Sequence, residues 1–229
     1  MKGSDEMAYP RERMVRTQIE RRGVRDSRVL EAMRTVPRHR FVKKHLQGQA
    51  YGDHALPTGS GQTISQPYIV ARMTELLELG PEDSVLEIGT GTGYQTAVLA
   101  CLARRVYSLE RVPSLAKEAI RRMQDLGLDN VKIQIFDGTV GWSEFAPYDA
   151  ILVTAGAPSA PQPLLDQLGP GGRLVIPEGE LHQQRLVVYR KDAEGRIDRR
   201  EHEPVAFVPL IGRHGWSSGE NGNGDGRRR

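Results

Sequence analysis

Ten residues, Ser84 to Gly93, constrain the fold of this chain more than any others. They read Ser-Val-Leu-Glu-Ile-Gly-Thr-Gly-Thr-Gly, a short apolar run carrying one acid, Glu87, followed by three alternate glycines. An apolar run of this length bounded by turn residues predicts a strand buried on both faces, which is the habit of parallel sheets. Gly89, Gly91 and Gly93 predict a sharp turn where a ligand can approach the main chain without meeting a Cβ. Residues 94–103 then predict a helix, so a ligand at the turn would meet backbone N–H groups and the positive end of a helix dipole. A dinucleotide site would follow G-x-G-x-x-G, which would place its third glycine at Tyr94. The spacing here is E-x-G-x-G-x-G, and a dinucleotide is disfavoured.

Around this turn the chain alternates. Strands are predicted at 84–88, 106–110, 131–135, 149–154 and 173–177, with helices at 67–79, 94–103, 114–127 and 160–168. Such alternation implies an α/β fold, a mostly parallel, doubly wound, Rossmann-like sheet. Further strands are expected at 185–189 and 205–208, around a polar hairpin at 191–203. Residues 9–50 read as helical: Met14, Val15, Gln18 and Ile19, then Val29, Leu30, Met33 and Val36, recur at helical spacing. Asp26-Ser27 supplies a helix cap and Pro37 an end. Residues 51–66 read as a glycine-rich polar loop without a regular element. The expected organisation is an N-terminal helical extension and active-site loop over 1–66, a core over 67–211, and a disordered Gly/Asn/Arg-rich tail over 212–229.

A chain of 229 residues is long enough for one full core. No apolar run reaches the roughly 18 residues of a membrane span. The first six residues lack the apolar stretch of a secretory signal. The single cysteine, Cys101, cannot form an internal disulfide and is read as a small core or boundary residue; together these point to the cytoplasm. Residues 10–45 hold twelve Arg and Lys against four Asp and Glu. A basic arm can bind nucleic acid, but no stacking pattern or nucleic-acid motif accompanies it, so a solvated amphipathic face is favoured. No metal is expected.

The acids fall where an open α/β sheet places its ligand, beyond the carboxyl ends of the strands. Glu87 closes the first strand and Glu110 the second, where a carboxylate can accept from both ribose hydroxyls. Asp137-Gly138 follows the third, at the position of an adenine amino group, and Thr154 to Ala157 follow the fourth with small groups. With the E-x-G-x-G-x-G turn, and with Leu168 to Pro177 as a glycine turn into a fifth strand, this set resembles S-adenosylmethionine-dependent methyltransferases. Upstream, Gln62-Thr63-Ile64-Ser65-Gln66-Pro67, within a match over Ala55–Ala71, closely resembles the protein-L-isoaspartate O-methyltransferase family. The likeness continues through Leu86–Thr96, Asp137-Gly138 with Gly141-Trp142, Pro147–Ile151 and Phe207–Leu210.

The resemblance implies methyl transfer from S-adenosyl-L-methionine, leaving S-adenosyl-L-homocysteine, to the free α-carboxylate of L-isoaspartyl residues in damaged proteins and peptides. The ester then closes to a succinimide. An α-carboxyl with a pKa of about 3.3–3.7 is already ionised at neutral pH, so no general base is required. Ser65 is implied as the active-site residue, orienting that carboxylate with its hydroxyl. Read alone, apart from this segment, Ser65 is simply the cap of a helix beginning at Pro67. Gln62, Thr63, Ile64, Ser65, Glu87, Gly89, Gly91, Gly93, Glu110, Arg111, Asp137 and Gly138 are implied as cofactor contacts, and Thr63, Ser65 and Tyr68 as substrate contacts. The implied partners are isoaspartyl proteins and peptides, met by a monomer, with neither membrane nor nucleic acid. The alternative is a methyltransferase acting on another carboxylate or on RNA.

Overall fold

A computed structural model describes residues 6–59, 61–181 and 183–217. Its centre is a seven-stranded sheet in the order β5-β4-β3-β6-β7-β8-β9. The strands are β3 (Ser84–Ile88), β4 (Arg105–Glu110), β5 (Val131–Ile135), β6 (Tyr148–Val153), β7 (Leu168–Glu180), β8 (Gln183–Lys191) and β9 (Ile197–Val205). β5, β4, β3, β6 and β7 run parallel, and β8 and β9 add an antiparallel edge. From β3 the chain winds outward through β4 to β5, then returns to the other side of β3 as β6. The winding therefore reverses beside β3, which puts the glycine turn at the topological switch point.

Alternation along each strand sorts its residues between two faces. Val85, Val106, Ala150, Leu152 and Val175 pack in one core with the N-terminal helices, α3 (Pro67–Leu76) and α4 (Tyr94–Ala100). Leu86, Ile88, Leu109, Ile151, Val153, Leu174 and Ile176 pack in a second core with Trp142 and with Leu164 of α6 (Gln162–Gln167). Between β4 and β5 runs α5 (Pro113–Asp125), whose Leu115, Ala116, Ala119 and Met123 are its buried stripe.

The amino-terminal zone comprises α1 (Ala8–Met14), a π turn (Val15–Ile19), a 3₁₀ turn (Glu20–Arg22), α2 (Ser27–Thr35) and two further 3₁₀ turns (Arg38–Phe41, Lys44–Gln49). Asp26 caps α2 by accepting from Arg28 N and Val29 N. Most of the basic residues here are solvated as the pattern implied. Arg38 is not; it is wholly buried.

Several expectations are corrected. Residues 51–66 are not devoid of regular structure: β1 (Leu56–Gly59) and β2 (Gln62–Ile64) form a short antiparallel pair, with Leu56 opposite Ile64. Strands this brief carry no readable alternation. The segment 197–203, read as hairpin, is most of β9; only residues 192–196 make the turn. Residues 206–208, read as strand, pair in no sheet. Cys101 is exposed just beyond α4, not a core or boundary residue. Residues 212–217, expected as disordered tail, fold back on the core: Trp216 Nε1 donates to Gly156 O at 3.1 Å and Arg213 N to Asp137 Oδ2 at 2.8 Å. The rest of that expectation, 218–229, lies outside the described residues.

Candidate active site

A cleft of about 720 Å³ opens over the carboxyl ends of β3, β4 and β6, large enough for a nucleotide-sized ligand with a second group beside it. Its floor is the glycine turn. Gly89, Gly91 and Gly93 have φ of 96°, 54° and 87°, in the left-handed region that other residues avoid. A Cβ on Gly89 would run into Thr154 Oγ1. That threonine hydroxyl donates to Gly89 O at 2.7 Å and faces Ile88 O at 3.0 Å, tying the turn to the end of β6.

Glu110 ends β4 at the rim of the floor. It is 6% exposed, and its two oxygens accept from Gly91 N at 2.8 Å and Val112 N at 2.9 Å. The main chain thus fixes this carboxyl group and leaves lone pairs for donors in the cleft. Arg111, Gly138, Thr154 and Ala155 line the wall beside it.

Another part of the wall is β2 with the start of α3. Gln62, Thr63, Ile64, Ser65 and Tyr68 all face the cleft. The Ser65 hydroxyl does not cap α3; the cap position is Gln66, with no side-chain capping bond. The competing structural explanation for Ser65 therefore fails. Its carbonyl is held by Arg38 Nη2 at 2.8 Å. Gln66 Nε2 donates to Asp53 Oδ1 at 2.7 Å and to Asp53 O at 3.1 Å, securing the loop's outer edge.

Three expected cofactor contacts lie elsewhere. Glu87 is completely buried beneath the turn and does not line the cleft. Its Oε2 accepts from Thr96 Oγ1 and Ser108 Oγ, each at 2.6 Å, and Ser108 in turn meets Thr90 Oγ1 at 2.6 Å. Burial pushes its carboxyl up to about 8, against those hydrogen bonds and with the Glu110 charge adding to the rise, so it is mostly protonated at neutral pH. Gly93 packs against Met123 and Ala119 and serves the close approach of α4 to α5. Asp137 accepts from Thr139 N, Thr139 Oγ1 and Arg213 N. Burial alone would raise it, but these hydrogen bonds hold it below the usual carboxylate range. Its oxygens meet the returning 212–216 turn, not the cleft.

Sequence reasoning missed part of the wall. Arg22 lies 3.7 Å above the Tyr68 ring and 3.3 Å from Asp53 Oδ2. Glu203 meets Arg72 Nε at 3.0 Å and the Tyr68 hydroxyl at 3.5 Å. Phe207 is set by its N–H on Gln184 Oε1 at 2.8 Å. These side chains come from distant parts of the chain, and no local spacing announces them. Among the described residues no group of three His, Cys, Asp or Glu could hold a metal ion.

The sequence and the fold have known counterparts. The family model described as protein-L-isoaspartate(D-aspartate) O-methyltransferase matches residues 9–215. A protein-L-isoaspartate O-methyltransferase of Syntrophobacter fumaroxidans is 56% identical over 206 residues, 90% of this chain and 96% of the relative. One from Geobacter metallireducens is 56% identical over 210 residues, 92% and 97%. Among solved structures, a protein-L-isoaspartate O-methyltransferase superposes with a TM-score of 0.81 at 30% identity, covering 90% of this chain and 67% of that one. A Plasmodium falciparum structure, described as a putative enzyme of the same name in complex with S-adenosyl-L-homocysteine, gives 0.75 at 28% identity, over 88% and 98%.

Proposed function

This chain belongs to the protein-L-isoaspartate O-methyltransferase family, and we propose that its cleft transfers a methyl group from S-adenosylmethionine to the α-carboxylate of L-isoaspartyl residues in damaged proteins and peptides. The observation that carries this reading is the pairing, in one cleft, of a main-chain-fixed carboxylate at Glu110 with a serine hydroxyl at Ser65 that no helix cap consumes. When bound, S-adenosylmethionine supplies an electrophilic methyl on a sulfonium. The cleft fits it: the Gly89–Gly91 turn offers main chain without a Cβ, Glu110 would offer acceptors to ribose hydroxyls, and Gly138 and Arg111 line the same wall, where they would hold the nucleoside.

The chain's own work is placement. The acceptor carboxylate arrives ionised, so no residue has to remove a proton. Ser65 would donate its hydroxyl to one carboxylate oxygen and leave the other free to accept the methyl group. Holding the two reactants in line converts an encounter into a unimolecular step. Thr63 and Tyr68 contribute to the acceptor wall. Esterification makes the departing oxygen methanol, a far better leaving group than the oxide of a free carboxylate. The following backbone nitrogen attacks it and expels methanol, closing a succinimide whose hydrolysis returns some normal aspartate.

The same reading makes the 1–66 segment the acceptor side of the enzyme and 67–211 the methyltransferase core. It takes the enzyme to be a cytoplasmic monomer that binds no nucleic acid; no helix among the described residues is long and apolar enough to cross a membrane. Two peptides identical except for one isoaspartyl or aspartyl residue test the assignment. Methyl incorporation by mass spectrometry is expected in the isoaspartyl peptide alone. Equal labelling of both, or of neither by enzyme that binds the cofactor, would reject it.

A further inference from the structure

Arg38 is fully buried and is the one Lys or Arg so placed among the described residues. It forms no ion pair there. Its Nε donates to Ala50 O at 2.8 Å and its Nη2 to Ser65 O at 2.8 Å, while its guanidinium carbon lies 4.8 Å from the centre of the Tyr94 ring. Nη1 is buried without a partner. A guanidinium taken from water with no carboxylate beside it is costly, and an apolar side chain of similar volume would fill the space without that cost. What an apolar side chain cannot supply is a rigid planar fork that fixes two acceptors relative to each other.

The two acceptors are the ends of one segment. Ala50 closes the last 3₁₀ turn before the acceptor loop, and Ser65 ends that loop just ahead of α3. Tyr94 opens α4 directly after Gly93 and itself lines the cleft. A single side chain therefore spans the start of the acceptor loop, its functional end and the helix that follows the glycine turn. We propose that Arg38 is a positioning residue, acting through the Ser65 carbonyl to aim the Ser65 hydroxyl at the acceptor carboxylate. The proposal rests on the reading of Ser65 given above.

A double-mutant cycle in the full-length enzyme tests it, with Arg38→Met, Ser65→Ala and the pair measured for kcat, KM on an isoaspartyl peptide, S-adenosylhomocysteine Kd and Tm. Arg38→Met is expected to lower kcat roughly 10- to 30-fold while cofactor Kd moves less than about 3-fold. The double variant should be no slower than Ser65→Ala alone, because both changes remove the same contact. Arg38→Lys, which keeps the charge and loses the fork, should fall between wild type and Arg38→Met. Multiplicative losses in the double variant, wild-type kcat in Arg38→Met, or a collapse of Kd together with kcat would overturn the proposal. Loss of folding in both the Met and Lys variants would overturn it as well, since the residue would then act on stability. A silent Ser65→Ala would instead reject the role of Ser65 itself.

Discussion

The glycine-turn side of the cleft is held mainly by its own strand-turn-helix unit and the neighbouring strand ends, and the Ser65 side by side chains reaching across the molecule. At the glycine turn, Gly89 N donates to Leu109 O at 2.8 Å, Gly93 N to Thr90 O at 2.8 Å and Gly91 N to Glu110. Each bond joins residues within one strand-turn-helix unit or its neighbouring strand. On the Ser65 side, Ser65 is steadied by Arg38, Gln66 by Asp53, and Tyr68 by Arg22 and Glu203. A site of this kind has one half whose shape is a property of the sheet and another that depends on tertiary partners.

The largest effect should come from forcing a side chain into the main-chain half. Gly89→Ala places a Cβ against Thr154 at a left-handed φ. Strain of about 1–2 kcal/mol adds to the displacement of that threonine, so S-adenosylhomocysteine affinity by calorimetry should weaken at least ~30-fold. Near-native affinity would show that the turn is not the cofactor's floor.

Beneath the turn, the protonated Glu87 offers an intermediate effect with a definite sign. Its folded pKa of about 8 lies above the unfolded value of about 4.3. Its contribution is fully present below pH ~4.3, declines by at most about 1.4 kcal/mol per pH unit as pH rises, and is gone above pH ~8. Glu87→Gln should make stability by urea unfolding flatter between pH 5.5 and 7.5 than in the wild type. Parallel pH profiles would mean that the carboxyl is already ionised in the fold.

The smallest effect belongs to the rim. Arg22 and Asp53 are 42% and 44% exposed as side chains, and exposed pairs contribute about 0–1 kcal/mol. Arg22→Ala should raise peptide KM about 2- to 5-fold with kcat and cofactor affinity unchanged. A changed cofactor affinity would erase the distinction between the two halves.

The same contrast explains what could be read from the sequence. β3 and β5 begin and end where apolar runs do, and the E-x-G-x-G-x-G spacing located the floor because a local motif builds it. Glu87 misled for a physical reason: an acid just before a glycine turn looks ligand-facing, but strand alternation turns it under the sheet, where Thr96 and Ser108 receive it. β9 escaped because Ile197–Val205 is an exposed edge rich in Arg and Glu, with no apolar signal. The apolar residues 206–208 looked like a strand but supply cleft wall. Arg38 was indistinguishable from its solvated neighbours, since burial of an arginine is decided by what folds over it. Ser65 is singled out only by the family likeness of its segment.

Separability of the two halves is tested most directly at Ser65. For Ser65→Ala, kcat on an isoaspartyl peptide and the Kd of S-adenosylhomocysteine should be measured on the same preparation. Loss of one hydrogen bond to a charged acceptor, about 1.5–3 kcal/mol, predicts a kcat lower by roughly 10- to 100-fold with Kd within about 2-fold. Unchanged turnover, or cofactor affinity falling in step with kcat, would contradict the account.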